Sequence, residues 1–307
     1  MSINHFKKEI LAIFLAILFP NTINSQSTPL VRKLAPDVYF YAGNELLQKS
    51  ANCLWVVFKD YVLVVDANYP WGAEEILEEI KKTTDKPVRF IFNTHYHHDH
   101  SFGNSVFVDQ GAIVVASTTT SDEMKTVGQI EWNKGTAYSG RDMKRYRREF
   151  PTITFDQQLV LDDGIHKVIL IKIGPGHTAG DAVAYLPNEK ILSTGDLCVN
   201  GNPWGNNVAD VNANYEHWLA ALDTLYTWDI RQVIPGHGDI GSKTILKQQR
   251  DYLADMYTQV SNGIKTGKTR EELLNQVDLS RHPVRGSNTI SNTRSIKAMY
   301  DRLKGGN

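Results

Sequence analysis

Cysteine is nearly absent from this chain: Cys53 and Cys198 are the only two in 307 residues. Two thiols are too few for a disulfide-built scaffold, although a single bridge is possible in an exported protein. An excess of charge of one sign is missing as well, since 33 lysines and arginines stand against 34 aspartates and glutamates. That balance gives no electrostatic case for a nucleic-acid partner or an anionic lipid surface. Also lacking is a hydrophobic run of the roughly 20 residues that a membrane-spanning helix needs. The apolar stretch from Ile10 to Phe19 is about half that length and follows Lys7 and Lys8. With small Ser25 behind it, this reads as a secretory signal over residues 1–25, cleaved to leave 26–307 as the working domain. A protein exported in this way is expected in the periplasm or medium, without stable membrane association afterwards. No repeat or low-complexity block appears, so the length suits one large α/β domain or two fused halves with ample core.

The chain is organised around Asn93-Thr94-His95-Tyr96-His97-His98-Asp99-His100, directly after the apolar Val88-Arg89-Phe90-Ile91-Phe92. A β-branched and aromatic run ending in imidazoles and a carboxylate reads as a buried strand whose exit loop carries a metal site. In extended backbone His95 and His97 share a face, while Asp99 and His100, past the bend, turn toward a second ion. Nitrogen and oxygen donors of this kind are what zinc accepts, with room left for water. Clustered histidines in a polar loop would look the same, so the test is whether distant partners exist. Three follow in order: Gly174-Pro175-Gly176-His177-Thr178-Ala179-Gly180-Asp181, Thr194-Gly195-Asp196, and Pro235-Gly236-His237-Gly238, each closing a strand-like run.

Around these stretches, Leu54 to Phe58 and Tyr61 to Val65 form a hairpin across Lys59-Asp60. Its second strand ends at Asp66, a carboxylate placed to orient a ligand from behind. A helix from Ala73 to Lys82 carries apolar Ile76, Leu77 and Ile80 on one face. Thr118 to Phe150 is mostly polar and reads as helical, ending in the basic run Arg141 to Arg148. That run is either a solvated helix face or a lid receiving an anionic substrate, with Trp132 and Tyr138 as aromatic members. The second half opens with short strands at Ile153 to Phe155, Gln158 to Leu161 and Lys167 to Ile173, continues through a hairpin at Ala182 to Ser193, and finishes in helices. His98, His166, His217 and His282 lack a motif and read as surface or core histidines.

On the HxHxDH stretch and the three glycine-flanked segments after it, the chain resembles the metallo-β-lactamase superfamily of binuclear hydrolases. The resemblance implies an α/β fold of the four-layer αβ/βα sandwich type and two zinc ions per chain. By the same resemblance His95, His97 and His177 hold the first zinc, Asp99, His100 and His237 the second, and Asp196 bridges them. The implied chemistry is attack of a metal-bridging hydroxide on an ester, thioester, lactone or lactam, with Asp99 and Asp196 as the catalytic carboxylates and a small molecule as substrate. Ala51-Asn52, Pro70-Trp71-Gly72 and the Leu186-Pro187 hairpin resemble exported zinc β-lactamases. Asp196 stands where one class of these has a cysteine, however, and Val199 where a lysine would hold the antibiotic's carboxylate. The second ligand set instead looks like glyoxalase II, lactonases and hydrolases of the quinoprotein-relay type. The alternatives are a β-lactamase proper, a mononuclear iron persulfide dioxygenase, and a non-catalytic metal-binding protein.

Overall fold

The structure, a computed structural model, describes residues 30–43, 51–201, 208–282 and 289–305. The signal segment expected over residues 1–25 lies outside them. Among the described residues no helix is long and apolar enough to cross a membrane.

Seven strands form the first sheet in chain order: β1 (Val31–Ala35), β2 (Val38–Tyr41), β3 (Cys53–Val57), β4 (Val62–Val65), β5 (Val88–Phe92), β6 (Ile113–Ser117) and β7 (Ile153–Phe155). Pairing is antiparallel from β1 to β4 and parallel from β4 to β7. The second half contributes β8 (Gln158–Asp162), β9 (Lys167–Lys172), β10 (Ala182–Leu186), β11 (Ile191–Ser193), β12 (Val199–Asn200), β13 (Gln232–Ile234) and β14 (His237–Gly238). Five of these make the second sheet, ordered β13-β11-β10-β9-β8, while β12 and β14 pair in parallel beside it.

Strand alternation sorts side chains into layers. In β3, Leu54 and Val56 point between the sheets, whereas Cys53, Trp55 and Val57 point outward. The outward set is covered by Ile76 and Ile80 of α1 (Pro70–Thr83) and, beyond α2 (His98–Ser101), by Phe107 of α3 (Asn104–Val108). On the other sheet Ala182, Ala184 and Leu186 of β10 face the first sheet, and Val183 faces outward. Three short helices lie between the halves: α4 (Thr118–Lys125), α5 (Val127–Asn133) and α6 (Gly135–Ser139). The second sheet's outer face is covered by α7 (Tyr215–Thr227), α8 (Thr244–Lys265), α9 (Arg270–Gln276) and α10 (Thr289–Gly305). Strands this apolar on both faces have to be covered on both, which gives the helix–sheet–sheet–helix order that the resemblance implied.

Three expectations need correction or refinement. Ile153–Phe155 does not open the second sheet; it closes the first, pairing in parallel with β6 through Val115 and Ile153. Its alternation identifies a strand but says nothing about its neighbour. The polar stretch from Thr118 breaks into three helices, and Arg141 to Arg148 is not helical, because Gly140 at φ 66° turns the chain out of α6. Three of its cations are committed to neighbours: Arg145 bonds Glu74 at 3.0 Å, Arg147 pairs with Asp109 at 2.7 Å, and the Arg141 guanidinium lies over Trp71. Finally, Cys53 and Cys198 are both buried thiols, and no bridge joins them.

Candidate metal centre

The loop after β5 is folded by its own polar side chains. Asn93 Nδ2 donates to His100 O at 2.9 Å and Asn104 returns a bond to Asn93 Oδ1 at 2.8 Å, closing the loop on itself. Ser101 Oγ donates back to the carbonyls of Tyr96 and His97. Behind the loop sits Asp66, at the end of β4 with φ 63°. Its Oδ1 accepts the Thr94 N–H and its Oδ2 faces His100 Nδ1, both at 2.8 Å, so one carboxylate pins both ends of the loop.

His177 comes from the loop between β9 and β10, Asp196 from a 3-10 turn at Gly195–Leu197, and His237 from β14. Packing of the two sheets brings the seven side chains together, in two groups: His95, His97, His177 and Asp196, then Asp99, His100 and His237, all buried. In the first group His97 Nδ1 lies 3.1 Å from both His95 Nε2 and His177 Nε2. In the second, His237 Nε2 is 3.4 Å from Asp99 Oδ2 and 3.4 Å from His100 Nε2. Asp196 straddles them: Oδ2 is 3.7 Å from His177 Nε2, and Oδ1 is 3.2 Å from both His100 Nε2 and His237 Nε2.

Proton bookkeeping shows what this geometry accommodates. Asp66 is acceptor-only when ionised, so it takes the His100 Nδ1 proton and leaves a lone pair on Nε2. His97 does likewise, with Nε2 2.9 Å from Asp210 Oδ2 and Nδ1 turned to the cluster. The Thr94 hydroxyl donates to Asp66, so Thr94 Oγ1 accepts from His95 Nδ1 at 3.0 Å, and the His95 Nε2 lone pair also faces inward. The inward lone pairs of His95 Nε2 and His97 Nδ1, 3.1 Å apart, repel unless something positive lies between them. Among the described residues Asp196 Oδ1 makes no well-formed hydrogen bond, although two imidazole nitrogens stand 3.2 Å from it. Crowded lone pairs and an anionic oxygen so placed are a donor set for cations, and nitrogen–oxygen sets of this kind suit zinc.

The electrostatics agree. Burial, with His100 and His97 close by, holds His95 well below the ordinary imidazole value; burial and His97 take His177 down to about 4. Burial opposes charge on His97 too, but its hydrogen bond to Asp210 wins and lifts it to about 9. On His100 the same opposition from burial is overcome by Asp66, Asp196 and Asp99, which raise it to about 10. Despite its own burial, Asp196 is held well below the carboxylate range by His237 and His100. The interior thus favours positive charge where the two donor groups meet.

His98, which opens α2, faces away from the cluster, and its Nδ1 lies 2.8 Å from the Tyr69 hydroxyl. Tyr69 and Trp71 stack on each other at 4.9 Å and are both buried, forming a packed wall rather than an open rim. Trp132 meets Phe102 edge to face, while the Tyr138 side chain lies outside the described residues. His166 and His282 pair with Glu189 and Asp255, remote from the centre, and His217 is exposed on α7. Cys198 is turned into the core by the 3-10 turn, with Sγ 3.5 Å from Ile245 O. Sequence reasoning missed Asp210, whose carboxylate also accepts from the buried Tyr96 hydroxyl. Nothing around Asp210 in the sequence marks it, since its partners lie 113 and 114 residues away.

Residues 47–237 match the family model of the metallo-beta-lactamase superfamily. The chain is 25% identical over 247 residues to the linear primary-alkylsulfatase of Pseudomonas sp. (strain ATCC 19151), an alignment covering 68% of this chain and 46% of that enzyme. It therefore spans about half the length of that relative. It is 23% identical over 251 residues to the metallo-beta-lactamase type 2 of Elizabethkingia meningoseptica, covering 75% of this chain and 88% of that one. Among solved structures, a double mutant of the sec-alkyl sulfatase PisA1 superposes with a TM-score of 0.70 at 19% identity, over 90% of this chain and 50% of the other.

Proposed function

We propose, from the premise that this chain belongs to the metallo-beta-lactamase superfamily, that it is an exported di-zinc hydrolase of small substrates carrying an ester, thioester, lactone or lactam bond. The observation that carries the reading is Asp196, whose two oxygens face two separate donor groups, Oδ2 toward His177 and Oδ1 toward His100 and His237. His95, His97 and His177 would hold one ion and Asp99, His100 and His237 the other, with Asp196 shared. A pair of zinc ions, when bound, supplies a water of lowered pKa and a Lewis acid for the oxygen of the bond being cleaved.

The chain's own residues do the rest. Asp66, Thr94 and Asp210 fix the protons on the far nitrogens of His100, His95 and His97, so that their inward nitrogens remain donors. Asp99, whose Oδ2 lies 3.4 Å from His237 Nε2 within the second donor group, would take and return the proton of the attacking water. Export rests on the basic start, apolar run and small residue within residues 1–25. A preference for esters and thioesters over β-lactams is supported by Val199, which is buried in β12 and offers no cation to an antibiotic's carboxylate. Sulfate esters are a second reading, favoured by the likeness to an alkylsulfatase over 68% of this chain.

Two outcomes are expected of the mature protein. Elemental analysis should find two zinc ions per chain, and a panel of lactones, thioesters, carboxylic esters, alkyl sulfates and β-lactams should show the carbonyl esters or thioesters turned over at least as well as the lactams. One tightly bound iron with oxygen consumption on a persulfide would overturn the reading. Hydrolysis of several β-lactams with no ester or thioester turnover would promote the β-lactamase.

A separate expectation concerns Asp210. Asp210→Ala deprives His97 Nε2 of its acceptor, and loss of such a partner typically weakens metal binding by about 10–100-fold. Tyr96→Phe removes only the neighbouring hydroxyl and should weaken it far less. Competition against a chromophoric chelator measures both, and equal affinities for Asp210→Ala and wild type would deny Asp210 this role.

A further inference from the structure

Behind the three-histidine group lies a carboxylate that belongs to no motif. Glu123, near the end of α4, is 6% exposed. Its Oε1 accepts the Ala179 N–H at 3.0 Å and Asn212 Nδ2 at 2.9 Å, and its Oε2 accepts the Gly180 N–H at 2.9 Å. Ala179 and Gly180 lie two and three residues beyond His177. Asn212 lies two residues beyond Asp210, whose Oδ1 accepts the Asn212 N–H at 2.7 Å while Oδ2 meets His97. One buried carboxylate therefore touches both the loop that carries His177 and the segment that supports His97.

The seat is closely fitted. Ser117 Oγ and Thr120 Oγ1 donate to Gly180 O at 2.7 and 2.8 Å. A Cβ on Gly180 would stand 2.4 Å from Thr120 N, so the loop approaches α4 as only glycine allows. Glu123 meets partners 56, 57 and 89 residues away in sequence, and among the described residues its side-chain hydrogen bonds all go to these two segments.

We infer that Glu123 is a positioning residue for the three-histidine half of the metal centre, acting on His177 through Ala179 and Gly180 and on His97 through Asn212 and Asp210. The inference rests on the two-ion reading above. Its chemical basis is that three N–H donors converge on one side chain, which suits a carboxylate with several lone pairs. A glutamine of the same shape has a single acceptor oxygen and sets its own NH2 against a donor. At least one N–H is then left unpaired in a buried place, and the loop relaxes away from α4.

The test compares full-length mature wild type, Glu123→Gln and Asn212→Ala. Zinc is titrated against a chromophoric chelator, and absorption spectra are recorded with Co2+ in place of zinc. Glu123→Gln should keep one ion at wild-type affinity and bind the other about 10–100-fold more weakly. Its one-cobalt spectrum should match that of His177→Ala rather than that of His237→Ala. Asn212→Ala, which cuts the link to the second segment alone, should weaken the same ion by about tenfold. It decides the matter if Glu123→Gln does not fold. Two ions at unchanged affinity in the folded variants, or equal weakening of both ions, would overturn the inference and leave the two-ion reading standing. A wild type that binds no pair of ions would overturn that reading, and the inference with it.

Discussion

Asp196→Asn is expected to lower the turnover rate constant by about 10³-fold, with a smaller change in Michaelis constant and loss of one of two bound ions. The substitution keeps the shape of the side chain, so its effect is one of charge and of donor count. In the native arrangement Oδ2 is 3.7 Å from His177 Nε2 and Oδ1 is 3.2 Å from His100 Nε2 and His237 Nε2. Whichever way the amide is turned, an NH2 points into a set of donor atoms and cannot share a cation with them. Negative charge common to both halves also offsets the repulsion between two cations, and that contribution disappears. Because the charge acts on the reacting centre rather than on remote parts of the substrate, the deficit falls on turnover. Metal content and steady-state kinetics measure the two effects. Two ions and unchanged turnover would remove the shared carboxylate from the mechanism.

Gly236→Ala, one residue before His237, is expected to destabilise the protein by about 3 kcal/mol, at the upper end of overpacking effects, and to weaken metal binding at the same time. A Cβ at this position would lie 2.0 Å from Asp196 Oδ1 and 2.8 Å from Gly195 C. Relief by backbone movement is blocked, because Gly236 N donates to Gly195 O at 2.9 Å and Cys198 O at 3.0 Å. The methyl group therefore displaces the carboxylate itself. Gly305→Ala, where nothing lies within 4 Å of the added carbon, is the control and should be neutral. Thermal unfolding with and without added zinc tests this. Equal midpoints for Gly236→Ala and wild type, with two ions retained, would show that the turn yields more easily than its hydrogen bonds imply.

Much of the layered fold was legible beforehand through the resemblance carried by the HxHxDH stretch and the glycine-flanked segments, with which the burial of strands such as β3 and β10 on both faces accords. The place of β7 was not, since three alternating residues mark a strand without marking the sheet it joins. Similarly, the arginine run after Gly140 carried its composition openly but not its partners. Glu74 and Asp109 answer its charges from α1 and from the end of α3, 71 and 38 residues earlier.

The sequence by itself determined the chemical inventory of the centre: imidazoles and carboxylates in an HxHxDH stretch, and three glycine-flanked donors at strand ends. Those are local properties, set by side-chain identity and by short loops that close on themselves through Asn93 and Ser101. The division into two groups was implied by the family resemblance; only the tertiary structure decided which oxygen of Asp196 faces each group, and that Asp210 and Glu123 stand behind the histidines. Such contacts join residues from 19 to 137 positions apart, as between His177 and Asp196 or His100 and His237. They arise when the sheets pack face to face, burying the apolar sides of both and carrying their loop ends to the same edge; no spacing within a single loop encodes that meeting.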